Sequence, residues 1–525
     1  MTEIELKLQV PARALAAVER ALVAAPVTSV RMRAVYYDTP DGRLGAAGVA
    51  LRLRQEGRRW VQTLKSGPSH GLSRGEHEVA LPATRGAAAP PLDPQRHAGT
   101  PPGEALARVL AECEGGVAAL VPRYRTDVRR RHRLLRTRRG TVELALDVGE
   151  IVAAGPDGVE RRWPVRELEI ELKSGQPTAV TDLARRWASQ HGLWLDTRTK
   201  AERGERLARG LEPGAEVPAV KAKPSRWTRD MRPIEAWAAV LDDTLAQALP
   251  NWSEVAAGSP SHDAVHQLRV ALRRLRSAER MFQGWPGVPP LGGSARVAEL
   301  FRRLGVARDR DVLEAGLGHE IDAALVARGD LPLELPPLGA PEADDAQRAR
   351  DGLVLIDLMA ERVGLDGGAE PPTDARAAGA GAAPGGVPAA PPPADRTDLR
   401  ALVAARLERW HDQVRRDAKR FERLDDDSRH RLRKRLKRLR YGVEFGAGLY
   451  GKRAVERYVG RLQESQDGLG LYNDAATAEA SYRQLLPAEP RAWFALGWLE
   501  RQRAAAAERC VGELGRLRKA KPFWR

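Results

Sequence analysis

Two cysteines, Cys113 and Cys510, stand far apart among 525 residues, which excludes a disulfide framework and a thiolate zinc site. A reducing compartment fits that usage. No stretch approaches the ~18 consecutive apolar residues of a membrane span. The chain opens on an alternating acidic strand where a secretory leader would place a basic end and an apolar run. Aromatic residues make up 5 % of the chain and none interleave the basic helical stretches, so a base-stacking platform is missing. The GxxxxGK[ST] phosphate loop and a nucleophile motif are missing as well.

Basic residues are plentiful. The 86 lysines and arginines outnumber 70 acidic residues, giving a formal net charge of +16 and a pI near 10.2. That excess points to a polyanionic partner: nucleic acid, polyphosphate or an anionic membrane surface. The length allows two or more domains, each with its own core. Near residue 210 the hydrophobic period changes from strand-like to helix-like, so a multi-domain α+β chain is expected.

The stretch Glu3-Ile4-Glu5-Leu6-Lys7-Leu8 puts Glu3, Glu5 and Lys7 on one face of a strand and its apolar residues on the other. An ordinary half-buried strand would explain one such pattern, but this one recurs. Glu167, Glu169, Glu171 and Lys173 alternate with Leu168, Ile170 and Leu172, and Arg52 and Arg54 alternate with Leu51 and Leu53. Thr63 and Lys65, Glu76 and Glu78, Arg123 and Arg125, and Glu143 and Asp147 add further charged faces. About eight such strands predict a small tunnel around a charged lumen, with the apolar faces packed outward against helices. From Thr84 to Gly103 periodicity gives way to Pro, Gly and Ala, which reads as a mobile surface loop.

Both signs of charge in one lumen suit a triphosphate. Its roughly four or five negative charges attract Lys and Arg, and a divalent cation reconciles it with the carboxylates. Glu-x-Glu on a strand holds two carboxylates on one face about 7 Å apart, suited to sharing metal ions. His70, His77 and His97 show no ligand spacing and read as structural or exposed.

These strands carry, in order, Tyr37-Asp38-Thr39, Leu51-Arg52-Leu53-Arg54, Thr63-Leu64-Lys65, Arg74-Gly75-Glu76-His77-Glu78, Glu169-Ile170-Glu171-Leu172-Lys173 and Thr199-Lys200-Ala201-Glu202-Arg203. Together with the opening Glu3-Ile4-Glu5-Leu6-Lys7 they resemble the CYTH superfamily, the triphosphate tunnel metalloenzymes, whose signature is ExExK. The resemblance covers residues 1–210. It implies an eight-stranded antiparallel β tunnel with flanking helices that hydrolyses or rearranges triphosphates with Mg²⁺ or Mn²⁺. By position it implies metal carboxylates at Glu3, Glu5, Glu169 and Glu171, with Glu76, Glu78 and Asp147 also in the catalytic lumen. Phosphate ligands are implied at Lys7, Arg52, Arg54, Lys65, Arg125 and Lys200, and Arg123, Glu143 and Glu150 lie in a looser pattern. Family members act on tripolyphosphate, thiamine triphosphate or RNA 5′ ends, and others cyclise ATP. Forms with an appended helical domain most resemble inorganic triphosphatases.

Residues 211–228, with Pro213, Gly214, Pro218 and Pro224, read as a linker. Residues 229–525 read as an all-α domain with a Pro/Ala/Gly insert at 364–394 expected to be disordered. An internal repeat relates His266–Arg276 to His430–Arg440, and Leu304–Asp309 to Leu469–Asp474. In each copy a leucine stripe faces the core (Leu268, Leu272, Leu275; Leu432, Leu436, Leu439). His266, Arg269, Arg273 and Arg276, or His430, Arg433, Lys437 and Arg440, ride the adjacent face. One basic stripe is an ordinary solvated helix face, whereas two at matched positions call for a polyanion. The histidines add charge below about pH 6.5. The repeats resemble the CHAD domain, the conserved histidine α-helical domain. That resemblance implies two pseudo-symmetric helical bundles whose basic surface binds long-chain inorganic polyphosphate.

The leading expectation is a metal-dependent inorganic triphosphatase, with metal-activated water as nucleophile, joined to a polyphosphate-binding module. It is expected in the cytoplasm or on polyphosphate granules. A non-catalytic polyphosphate scaffold is the alternative, separated by metal-dependent turnover. Nucleic acid is permitted by charge and supported by no motif.

Overall fold

The computed structural model describes residues 2–67, 73–82, 89–259, 261–333, 344–366 and 398–525, without the side chains of 2, 118 and 306–315. The N-terminal elements run β1 (Thr2–Gln9), α1 (Leu15–Val23), β2 (Thr28–Asp38), α2 (Arg43–Ala46), β3 (Val49–Glu56), β4 (Arg59–Ser66), β5 (Ser73–Leu81), α3 (Pro101–Ala111), β6 (Val121–Thr137), β7 (Gly140–Ala154), β8 (Glu160–Gly175), α4 (Thr178–His191), β9 (Trp194–Leu195) and α5 (Lys200–Ala208). Eight strands pair antiparallel in the order β5-β4-β3-β2-β6-β7-β8-β1, and Thr2–Ile4 return to pair with β5, closing a barrel. β9 adds only a short pairing to β1, Leu8 opposite Leu195.

The strand alternation explains why this barrel is inside out. Leu6, Leu8, Leu144, Leu146, Leu168 and Ile170 point outward and are buried under α1 and α4. The charged residues between them therefore face inward. Gly192, at φ 65°, caps α4 in the left-handed conformation that returns the chain to β9.

The loop expected from Thr84 to Gly103 is partly regular. Residues 84–88 lie outside the described residues, but Pro94–His97 form a 3₁₀ turn and α3 starts at Pro101. The anchor is His97, fully buried, with Nδ1 2.9 Å from His77 Nδ1 and Nε2 3.0 Å from Gln62 Nε2. Composition misled here because buried side chains tie the segment down: beside His97, Gln62 of β4 exchanges hydrogen bonds with the Asp93 backbone at 2.7 and 3.0 Å.

The linker has no regular structure but is pinned to the helices. Asn251 exchanges hydrogen bonds with the Val220 backbone at 3.0 and 2.8 Å, and Trp227 is buried against Phe445. The helices follow as α6 (Pro233–Ala256), α7 (His262–Phe282), α8 (Ser294–Val312), α9 (His319–Val326), α10 (Asp345–Asp366), α11 (Leu399–Lys419), α12 (Asp426–Phe445), α13 (Lys452–Leu485) and α14 (Ala492–Lys519). The repeated blocks fall on α7 and α12, and all six stripe leucines are fully buried. Residues 364–366 of the expected insert are the last turn of α10, and 367–394 lie outside the described residues. One hydrophobic core runs without a break from the outer face of the barrel through Trp187 into Trp237, Leu268 and Leu432. Among the described residues no helix is long and apolar enough to cross a membrane.

Candidate active site

The barrel encloses a lumen of about 260 Å³. Its acidic side is a register effect. Across β1, β8 and β7, Glu5 lies opposite Glu171 and Glu171 opposite Glu143, three carboxylates in one cross-strand row. Like charges directly opposite are destabilising without a cation between them. Lys7 contacts Glu5 at 2.8 Å, Lys173 contacts Glu171 at 2.7 Å, and His132 lies 3.1 Å from Glu143. Burial raises Glu171 against the pull of Lys173. Burial and the neighbouring Glu5 push Glu3 up to about 7 despite Lys65. Burial would also raise Glu5, but Lys7 and Lys65 bring it down to about 2.

A second row, Asp147 opposite Glu167, lies deeper. With Glu169 these residues form the one described group of three whose ligand atoms all lie within 4.8 Å of one another. The Lys200 ammonium already sits among them, 2.7 Å from Asp147, 2.8 Å from Glu169 and in contact with Glu167. Arg130 bridges Asp147 and Glu169, and Arg203 holds Glu167. Burial opposes ionisation of Glu169, yet Arg130 and Lys200 hold it well below the usual carboxylate range. This inner cluster is a closed ion-pair network, whereas the row Glu5-Glu171-Glu143, with Glu3 beside it, offers hard oxygen donors to the lumen.

The basic side comes from β3, β4 and β5. Arg54 pairs with Glu56 at 2.6 Å and Glu78 at 3.0 Å, and Lys65 pairs with Glu3 at 2.6 Å and Glu76 at 3.1 Å. Arg52 donates only to the Tyr36 hydroxyl, at 3.0 Å, and Arg74 has no ion pair among the described residues. Both guanidinium groups line the tunnel; burial opposes the charge of Arg52, and Tyr36, Glu76 and Glu78 favour it.

The structure brings Glu3, Glu5, Lys7, Arg52, Arg54, Lys65, Glu76, Glu78, Glu143, Asp147, Glu169, Glu171 and Lys200 to the lumen wall. Three residues are elsewhere. Arg125 is exposed and pairs with Glu160 at 2.8 Å, Arg123 reaches Glu205 at 3.4 Å, and Glu150 is paired with Arg162 at 2.7 Å outside the barrel. The cause is parity. On β6 the even residues Thr126, Val128, Arg130 and His132 face inward, so the period-two run of Arg123, Arg125 and Asp127 faces out. Arg130 and His132 therefore join the lumen unanticipated, and Arg74 of β5 joins it on the face it shares with Glu76 and Glu78. Arginines on both faces of β6 hide Arg130, and only its register partner Asp147 reveals it.

In the helical half Arg273, Arg433 and Arg440 surround Lys437 between α7 and α12. Arg433 has Asp474 at 3.9 Å and Arg440 has Glu444 at 3.4 Å, whereas Arg273 and Lys437 have no ion pair among the described residues. Arg269 and Arg276 are drawn aside onto the Phe301 ring, and Arg269 also donates to the Phe301 carbonyl at 2.8 Å. His430 contacts Asn473 at 2.6 Å, and His266 engages neighbours of its own.

A CYTH domain model matches residues 1–204 and a CHAD domain model residues 239–483. An inorganic triphosphatase from Haemophilus influenzae is 28 % identical over 172 residues, 32 % of this chain and 44 % of that protein, so the match spans less than half of the relative. An uncharacterized protein of Mycobacterium tuberculosis is 29 % identical over 514 residues, covering 92 % of this chain and 88 % of the relative. Among solved structures, the CHAD domain from the plant Ricinus communis is 25 % identical and covers 57 % of this chain and 96 % of its own, with a TM-score of 0.41. The chain thus belongs to the CYTH–CHAD proteins, with a CYTH domain forming the tunnel and a CHAD domain forming the helices.

Proposed function

We propose that the tunnel hydrolyses inorganic triphosphate, with tripolyphosphate as its substrate, and that the helical groove binds longer inorganic polyphosphate. The observation that carries the first part is the polarity of the lumen. Arg52 and Arg74, neither in an ion pair among the described residues, stand on β3 and β5, while the row Glu5-Glu171-Glu143 crosses β1, β8 and β7. A polyanion enters such a lumen on its basic side. The matching CYTH domain and the triphosphatase relative support the same reading.

Glu3, Glu5 and Glu171, with Glu169 beside them, would hold a divalent ion. Such all-oxygen donors fit Mg²⁺ or Mn²⁺, which when bound neutralises phosphate charge and acidifies water. Arg52, Arg54 and Lys65 bind and orient the phosphates, and Lys7 restrains Glu5. Lys200 keeps Glu169 ionised. Water adds to a terminal phosphorus and pyrophosphate departs with the bridging oxygen. The lumen, about 260 Å³, suits a short chain. The cations Arg273, Arg433, Lys437 and Arg440 support polyphosphate binding, because converging like charges relax only when an anion joins them.

The test is phosphate release from tripolyphosphate, ATP and thiamine triphosphate with Mg²⁺, Mn²⁺ or EDTA, for wild type beside Glu5→Ala. Metal-dependent release that is fastest from tripolyphosphate and falls at least ~100-fold in the variant is expected. A folded protein that retains polyphosphate yet releases phosphate from none of the three would be a scaffold instead.

A further inference from the structure

The helical domain meets the tunnel in more than one place: α10 packs on α4, where Arg185 pairs with Asp357 at 2.6 Å, and α6 holds a short segment beside the lumen. Three consecutive residues of α6, Trp252, Ser253 and Glu254, are all buried and bond in turn to β9, to the residues that follow it and to α5. Trp252 Nε1 donates to the Leu195 carbonyl at 3.0 Å. Ser253 Oγ accepts from the Thr197 amide at 2.9 Å and lies 3.0 Å from its hydroxyl. Glu254 Oε1 accepts from Arg206 at 2.7 Å, and its other oxygen lies 3.8 Å from Arg198. Between these grips sit Thr199, Lys200 and Ala201, which line the lumen.

The barrel holds this segment as well, through Lys200 among its carboxylates, Arg203 on Glu167, and Leu207 and Ala208 buried against Val128 and Ile151. Thr199 caps α5 through a capping box with Glu202, which fixes where the helix begins. Gly204 lets the helix lie flush on the barrel, since a Cβ there would fall 2.2 Å from the Tyr124 ring. The ion pair from Arg206 to Glu254 adds a restraint on α5 from the helical side, at the end of the helix away from Lys200. Lys200 and Arg206 are six residues apart on one rigid helix, so a shift at one is passed to the other.

Building on the tunnel reading above, we propose that Glu254, with Ser253 and Trp252, is a positioning residue for the tunnel: the helical domain sets the place of Lys200 and thereby the phosphate affinity of a lumen it does not line. The helical domain is then part of the hydrolase as well as a module beside it.

A double-mutant cycle on the full chain tests this, with tripolyphosphate affinity by calorimetry in EDTA, KM and kcat with metal, and the unfolding midpoint. Glu254→Gln is expected to weaken tripolyphosphate binding about three- to tenfold and to raise KM more than it lowers kcat. In a Lys200→Ala background the same change is expected to alter affinity by less than about twofold, and Glu254→Asp should restore most of the loss in the parent. A structural role alone would lower the unfolding midpoint and affinity equally in both backgrounds, and that additivity overturns the proposal. If Glu254→Gln does not fold, Ser253→Ala takes its place in the same cycle. A wild-type chain that neither binds nor hydrolyses tripolyphosphate overturns the tunnel reading itself, a separate result from additivity.

Discussion

The tunnel and the helical groove both concentrate lysine and arginine, but they settle that charge in opposite ways. In the tunnel Lys200 is enclosed by Asp147, Glu167 and Glu169; burial would lower its pKa, and the three carboxylates raise it instead. In the groove Lys437 meets Arg273, Arg433 and Arg440; burial and those cations push it down to about 6, with only Asp474 opposing. One lysine is held as an ammonium by its own carboxylates, and the other is pushed toward the neutral form by burial and the cations around it. A preorganised site must supply counter-charge from its own strands, whereas a surface that binds a flexible polyanion can leave its charge unmet.

The sharpest way to break this comparison is to delete one cation from each region. Lys200→Ala leaves Asp147, Glu167 and Glu169 buried with less counter-charge, so a loss of ~3–5 kcal/mol in urea unfolding is expected, together with loss of triphosphate hydrolysis. Replacing Arg273, Arg433, Lys437 and Arg440 together should act the other way on stability. Relief of like-charge repulsion keeps or raises the unfolding midpoint, while affinity for long-chain polyphosphate falls ~100-fold or more. Unchanged polyphosphate affinity would remove the groove from consideration.

A smaller effect separates the two faces of one barrel. Arg52→Ala should raise KM for tripolyphosphate about tenfold, because its guanidinium faces the lumen and is in no ion pair among the described residues. Arg125→Ala, paired outside with Glu160, should change KM by less than about twofold. Equal effects would mean that β6 presents its odd residues inward after all.

The smallest signal is the proton on Lys437. Its pKa falls from 10.5 in an unfolded chain to about 6 in the fold, so between those values the native state binds fewer protons than the unfolded one. Its contribution therefore destabilises fully below about pH 6 and fades as pH rises toward 10.5. Lys437→Met should be more stable than wild type at pH 6.5, with the gap narrowing steadily through pH 9, measured as urea midpoints across that range. Polyphosphate binding near pH 7.5 should take up about one proton in wild type and none in the variant, read from calorimetry in two buffers of different ionisation enthalpy. An equal gap at every pH would show that Lys437 does not titrate in this window.

Much of this molecule was legible in its residues. Alternation with period two and charge on one face specified inward-facing rows, and the recurrence of Glu3, Arg52, Lys65, Glu76 and Glu169 at such positions specified a charged lumen. The paired stripes Leu268-Leu272-Leu275 and Leu432-Leu436-Leu439 specified two equivalent buried helices, because a helical period leaves one face to pack. Parity on β6 was not legible, since Arg129 to Arg133 offer charge to both faces and only pairing with β2 and β7 selects one. Nor could composition foresee that His97 would order a Pro-rich loop.

What the sequence by itself determined was therefore periodicity and residue type, which are local properties of the chain. Tertiary structure alone decided which charges meet. It enclosed Lys200 with three carboxylates from β7 and β8, set Arg273 beside Lys437, and fastened α5 to Glu254. The physical reason is that ionic interactions depend on distance and burial between residues far apart in sequence, and neither quantity exists until the strands close and the helices dock.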